Sequence, residues 1–235
     1  MATALGFSAV AHAALVSRLS GLAYYDTATN LTWLTDASYG YSSYYDNQDG
    51  TTDGRMTWYA AKNWAANLNV DGVTGWRLPD ASPVNGSAYN LTTSYDGSTD
   101  VGYNISAPGS AHPASQASEL AYLFYNTLGN TGGADTSGSS TSCGGFTSCL
   151  ENQGPFINLS RYPSFWTESQ PDSTRAFVFS MYSGYQKTTL SNYSNWVSAW
   201  AVHPGDVAAV PLPAAVWSFG SGMLGLVGAG TRRRG

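Results

Sequence analysis

The sequence predicts an α+β domain, and three observations carry that prediction. Two segments, one after Thr57 and one after Ser118, set apolar side chains at helical spacing behind a capping residue. Short clusters of aromatic and β-branched residues, each bounded by turn formers, recur along the rest of the chain. The helices come early and most strand-like clusters come late, so the elements are segregated instead of alternating as a parallel sheet requires.

Taken in order, "GLAYYDTATNLTWLTD" reads as two strands, Leu22 to Tyr25 and Leu31 to Leu34, with Asp26 to Asn30 as their turn. The Tyr-rich run "ASYGYSSYYDNQDGTTDGR" holds too many Gly and Asp residues for regular structure. "MTWYAAKNWAANLNVDG" is the clearest helix. Thr57 caps it, Ala61, Trp64, Ala65 and Leu68 share one face, and Asn69 to Gly72 end it. "TGWRLPD" reads as a strand stopped by Pro79, and a polar insertion without periodicity runs from Ala81 to Pro113. In "SQASELAYLFYNTLGN", Ser115 or Ser118 caps a second helix, Leu120, Leu123, Phe124 and Leu128 form its apolar stripe, and Gly129 follows its end. Short strands are expected in "FINL", "SFWTE", "AFVFSM" and "SAWAVHP", and Pro204-Gly205-Asp206 closes the domain. No repeat recurs at a fixed period.

A chain of 235 residues holds one domain with a sizeable core plus tails. Charged residues reach only 11%, against about 25% in an average soluble domain. Aromatics at 14% keep the chain out of the disordered class, so its polarity rests on Ser, Thr, Asn and Gly. That balance suits a protein outside the cytoplasm. Net charge is −5 and the basic residues are scattered until Arg232, Arg233 and Arg234, so nucleic-acid binding, which needs a basic patch, is set aside.

The first residues, "MATALGFSAVAHAA", are small and apolar and end in Ala11-His12-Ala13, a small-x-small pattern. Residues 1–13 therefore read as a clipped signal peptide cut after Ala13, although the usual basic start is missing. Cys143 and Cys149 stand six apart around Gly144 and Gly145. A loop-closing disulfide is the favoured reading for an exported chain, beside two free thiols or half of a metal site. His12, His112 and His203 are scattered, which disfavours zinc.

After a spacer at Val207 to Val210, residues 214–230 carry no charge and no amphipathic pattern. As a helix they reach about 26 Å, marginal for a hydrocarbon core of about 30 Å. Gly220, Gly222, Gly225, Gly228 and Gly230 would weaken such a helix in water. The arginines beyond it fit the positive-inside rule and leave the domain on the far side of the inner membrane. A buried helix of the fold, a permanent anchor and a sorting label are the three readings, of which the label is favoured.

The motifs "YDTATNLTWL", "MTWYAAKNWAANLNVDGVTGWRLPD", "SELAYLFYNTLGN", "GPFINL", "FWTES" and "WAVHPGDV" together resemble the Lcl C-terminal domain family. The resemblance spans residues 22–207 and implies a C-type-lectin-like fold of unknown function. Within it, Trp76, Leu78 and Pro79 read as a structural motif, with Arg77 anchored to a carboxylate for which Glu119 is the candidate. Residues 208–235 resemble an exosortase-dependent sorting signal of the PEP-CTERM type in its VPLPA variant, matching Val210, Pro211, Leu212, Pro213 and Ala214, the apolar run and the arginines. That resemblance implies a membrane-embedded cysteine transpeptidase as partner, and release to the cell surface or the extracellular space.

No GxSxG, HExxH or P-loop occurs, so no enzyme is expected. "GWRLP" also occurs in formylglycine-generating enzymes, but Cys143 and Cys149 lie apart from any matching motif, and that copper-dependent role is not carried over. Gln170-Pro171-Asp172 is similar to the galactose-type calcium motif of C-type lectins, whose ion ligates sugar hydroxyls. The companion Trp-Asn-Asp is absent, "YSNWVS" having the wrong order. Asp46 to Gly54 reads as a solvated acidic turn, and Trp58, Trp166 and Trp196 as core residues or a sugar-stacking surface. The expectation is an exported structural or adhesive protein, with an exopolysaccharide-binding lectin-like module as the alternative.

Overall fold

The computed structural model describes residues 14–46, 52–144, 147–160, 163–193 and 196–207. The expectations placed on Ala11 and Ala13, on Val210 to Ala214, on the 214–230 segment and on Arg232 to Arg234 lie outside the described residues.

The described chain is α+β. Strands β1 (Leu15–Arg18), β2 (Ala23–Asp26), β3 (Leu31–Leu34) and β9 (Val202–Pro204) form an antiparallel sheet in the order β1-β2-β3-β9. The second sheet runs β4-β5-β8-β7-β6, from β4 (Thr93–Ser94), β5 (Val101–Gly102), β6 (Ser164–Trp166), β7 (Arg175–Ser180) and β8 (Tyr185–Leu190). It is mixed, because β4 and β5 pair in parallel while the other pairs are antiparallel.

Both expected helices are present. In α1 (Trp58–Ala66) the Thr57 side chain accepts from the Ala60 amide, and Trp58, Ala61, Trp64 and Ala65 are buried. The helix α2 (Glu119–Tyr122) is capped by Ser118, which accepts from the Ala121 amide. It then widens into a π turn, Leu123–Thr127, in which the Leu128 amide donates to the Leu123 carbonyl at 2.8 Å. Gly129 follows at φ +68°, a left-handed stop that costs a glycine nothing. No helix among the described residues is long and apolar enough to cross a membrane.

Three strand expectations shift. β1 precedes Leu22, pairing Leu15 with Asp26 and Arg18 with Ala23. "TGWRLPD" contributes a single bridge, Arg77 to Val202, and "FINL" a single bridge, Asp36 to Ile157. β8, "YQKTTL", has no apolar alternation to betray it, because Gln186 is its one fully buried side chain.

The core is aromatic. Trp33 and Trp200 lie 4.9 Å apart, and Phe156 and Phe165 pack on Trp200 at 5.1 and 5.6 Å. Three buried indoles find carbonyl partners, Trp58 donating to Thr167, Trp166 to Met56 and Trp200 to Leu34, all within 2.8 Å, while the Trp33 N–H has none among the described residues. The polar insertion is held by side chain to backbone bonds. Buried Asp100 accepts from the amides of Val84 and Asn90, each at 2.7 Å, and Asn104 donates to the carbonyls of Tyr95 and Ala134.

Candidate functional site

The "GWRLP" residues form a pin. Trp76 and Leu78 are buried, and between them Arg77 makes a forked pair with Glu119 at 2.7 and 2.8 Å. Burial works against the Arg77 charge, but the hydrogen bonds it donates to Glu119 raise its pKa above the ordinary arginine value. Glu119 also accepts from the Asp80 amide at 2.7 Å. Asp80 in turn accepts from the hydroxyls of Ser82 and Ser169, and Glu168 pairs with Lys62 at 2.6 Å. The network ties the start of the insertion to α2 and to the segment after β6. It is a brace.

Cys143 and Cys149 are joined in a disulfide and both are buried. The six-residue separation therefore closes one loop, and neither thiol is free.

The Gln170–Asp172 segment is an exposed turn. Asp172 Oδ1 accepts from the Thr174 hydroxyl at 2.7 Å and from the amides of Thr174 and Arg175 at 2.8 and 2.9 Å. Those bonds, the Thr174 hydroxyl foremost, hold its pKa below the usual carboxylate range. Gln170 Nε2 is buried without a hydrogen-bond partner among the described residues. Among the described residues no group of three His, Cys, Asp or Glu side chains could hold a metal ion. Asp46 is not the solvated turn residue expected. It is only 1% exposed and accepts from the amides of Ser42 and Gly54 at 2.8 and 2.7 Å, pinning the loop shut.

Of the tryptophans singled out, Trp58 and Trp166 belong to the core. Trp196 is 66% exposed, with the Arg55 guanidinium 4.8 Å from its ring centre.

Beside the Asp172 turn opens a cleft of roughly 380 Å³, lined by Tyr59, Ser173, Thr174, Leu190, Ser191 and Asn192. Three elements meet there: the first turn of α1, the entry to β7 and the exit from β8. Ser191 fastens them, donating through its amide and hydroxyl to the Thr174 carbonyl at 2.8 and 2.9 Å and accepting from the Trp58 amide at 2.9 Å. Tyr59 stands half exposed (51%) on that frame, its ring set edgewise to Trp58 at 5.2 Å. Leu190 is equally exposed at 52%. Among the described residues, no charged side chain lines the cleft. Trp58 itself lies under the Lys62 ammonium, 4.6 Å from its ring centre, and Lys62 is neutralised by Glu168.

A second cleft of roughly 410 Å³ lies over the end of the π turn. Its amide side chains are spent on the fold: Asn126 donates to Ser106, and Asn130 to Asn152, while buried Tyr125 donates to Gly184 at 2.8 Å. Burial pushes the Tyr125 phenol well above the ordinary tyrosine pKa, so it stays neutral.

Sequence reasoning found the pin and the disulfide but missed Tyr59, Leu190 and Asn192. The available signal was the face of α1: Tyr59 is a large aromatic set off the stripe formed by Ala61, Trp64 and Ala65. Comparison of the chain with known families, curated proteins and solved structures finds no match.

Proposed function

We propose that this chain is an exported cell-surface or extracellular protein whose C-type-lectin-like domain has a structural or adhesive role, delivered through an exosortase-type sorting signal. One observation carries the reading: the order of Val210-Pro211-Leu212-Pro213-Ala214, the uncharged run 214–230 and Arg232 to Arg234. An apolar span stopped by arginines fits insertion with the domain outside the inner membrane. The Cys143–Cys149 disulfide supports an oxidising compartment. The test is mass spectrometry of the C-terminal peptide in separate membrane and extracellular fractions. A terminus near Pro213 or Ala214 in the extracellular fraction is expected. Peptides extending through Arg232 to Arg234, confined to the inner membrane, would make the tail a plain anchor.

A second reading, a lectin-like module for exopolysaccharide, is favoured by the uncharged cleft that sets the exposed Tyr59 ring beside polar side chains. A glycan array with and without EDTA tests it, and sugar binding of any kind supports it over a purely structural role.

A further inference from the structure

We infer that the cleft between Tyr59 and Asn192 is a calcium-independent binding site for a neutral saccharide. This inference rests on the lectin-like reading above and gives it a place on the molecule.

The lining decides the ligand class. Without a charged side chain, the cleft offers nothing to a phosphate, a carboxylate or a metal ion. It offers two kinds of surface side by side. Tyr59 and Leu190 present exposed apolar area, whose removal from water is favourable. Asn192, Ser173 and the Tyr59 phenol present donors and acceptors, and their side chains have no hydrogen-bond partner among the described residues. A pyranose ring has the matching division, with a C–H face that lies on an aromatic ring and a rim of hydroxyls that take amide and hydroxyl bonds. A lipid tail would leave the Asn192 amide unsatisfied.

The site is also held in place before any ligand arrives. Ser191 ties Thr174 to α1 through its three bonds, and Asp172 fixes Thr174 from the other side. Binding therefore orders little beyond the Asn192 side chain. At roughly 380 Å³ the cleft falls near the small end of ligand sites, which run from about 300 to 1,000 Å³, and suits a short stretch of a polymer more than a large ligand. Calcium has no part in it. The Asp172 oxygen that a calcium motif would supply already accepts three bonds from its own turn.

The experiment is a titration of the full chain, in a detergent without a sugar headgroup, against an array of neutral gluco-, galacto- and mannopyranosyl oligosaccharides, run in parallel in EDTA and in calcium. Binding is expected in EDTA and is weakened at least about tenfold by Tyr59→Ala and by Asn192→Ala. A thermal melt of each variant shows that the fold is intact, and the second variant stands if the first unfolds. Binding that needs calcium and disappears in Asp172→Ala would overturn the cleft while leaving the lectin-like reading standing. So would EDTA-resistant binding that both variants leave unchanged. No binding to any oligosaccharide overturns both.

Discussion

At the scale of single residues, stability is concentrated in buried polar groups that have one partner set and no substitute. Arg77→Ala leaves the Glu119 carboxylate in a largely buried site with its guanidinium gone, so it is expected to cost about 3 kcal/mol in urea unfolding. Arg77→Lys should recover only part of that loss, because an ammonium cannot reproduce the forked pair. Ser118 has two tasks, capping α2 and donating to buried Gln186 at 2.6 Å, while Gln186 donates onward to the Asp100 carbonyl. Ser118→Ala should therefore cost about 2 kcal/mol, more than an exposed cap, with the midpoint of denaturation as the readout. Arg77, Glu119 and the Ser118 cap were legible in the sequence, since each follows from a local motif. Gln186 was not, because nothing in a polar hexapeptide says which of its side chains will face inward.

At the scale of elements, the sequence reading succeeds where an element is built from its own residues and fails where it is built from its neighbours. The helices carry their caps and stripes in contiguous stretches, so α1 and α2 are found within a residue or two. The strands β4, β5 and β8 exist because other chain segments pair with them, and their side chains are too polar or too few to announce it. The cleft fails to show for the same reason, since Tyr59, Thr174 and Asn192 come from three elements joined by backbone bonds. Gly102 makes the β4–β5 pairing possible. At φ +136° it brings its backbone so near Ser94 that an added Cβ would lie 1.8 Å from the Ser94 carbonyl oxygen. Gly102→Ala is expected to separate these strands and to destabilise the domain by about 3 kcal/mol, with amide exchange rising first at Ser94 and Tyr103.

At the scale of the whole molecule, the ends of the described fold are fastened to each other. Arg18 in β1 pairs with Asp206, just past β9, through two bonds of 2.5 and 2.7 Å. The Arg18 guanidinium holds the Asp206 carboxyl below its usual range, chiefly by hydrogen bonding. A depressed carboxylate stabilises the fold above its unfolded pKa of about 3.9 and loses that contribution as pH falls through the folded value. The melting temperature of wild type should therefore exceed that of Asp206→Asn by a constant margin at about pH 5 to 7, and the margin should shrink as pH falls below the unfolded value of about 3.9. β1 and β9 are the opposite edges of one sheet, so the Arg18–Asp206 pair reaches across its full width. Gly205 adds a bond to the Asn30 carbonyl at 2.8 Å, and Thr32 donates to the Gly205 carbonyl at 2.7 Å. Tension entering through the segment beyond Val207 meets these four bonds before it can reach β9. Instead of unzipping the edge strand one bond at a time, such a pull must break them together, so the load is shared across the sheet and the corner of the fold at Val207 resists extraction.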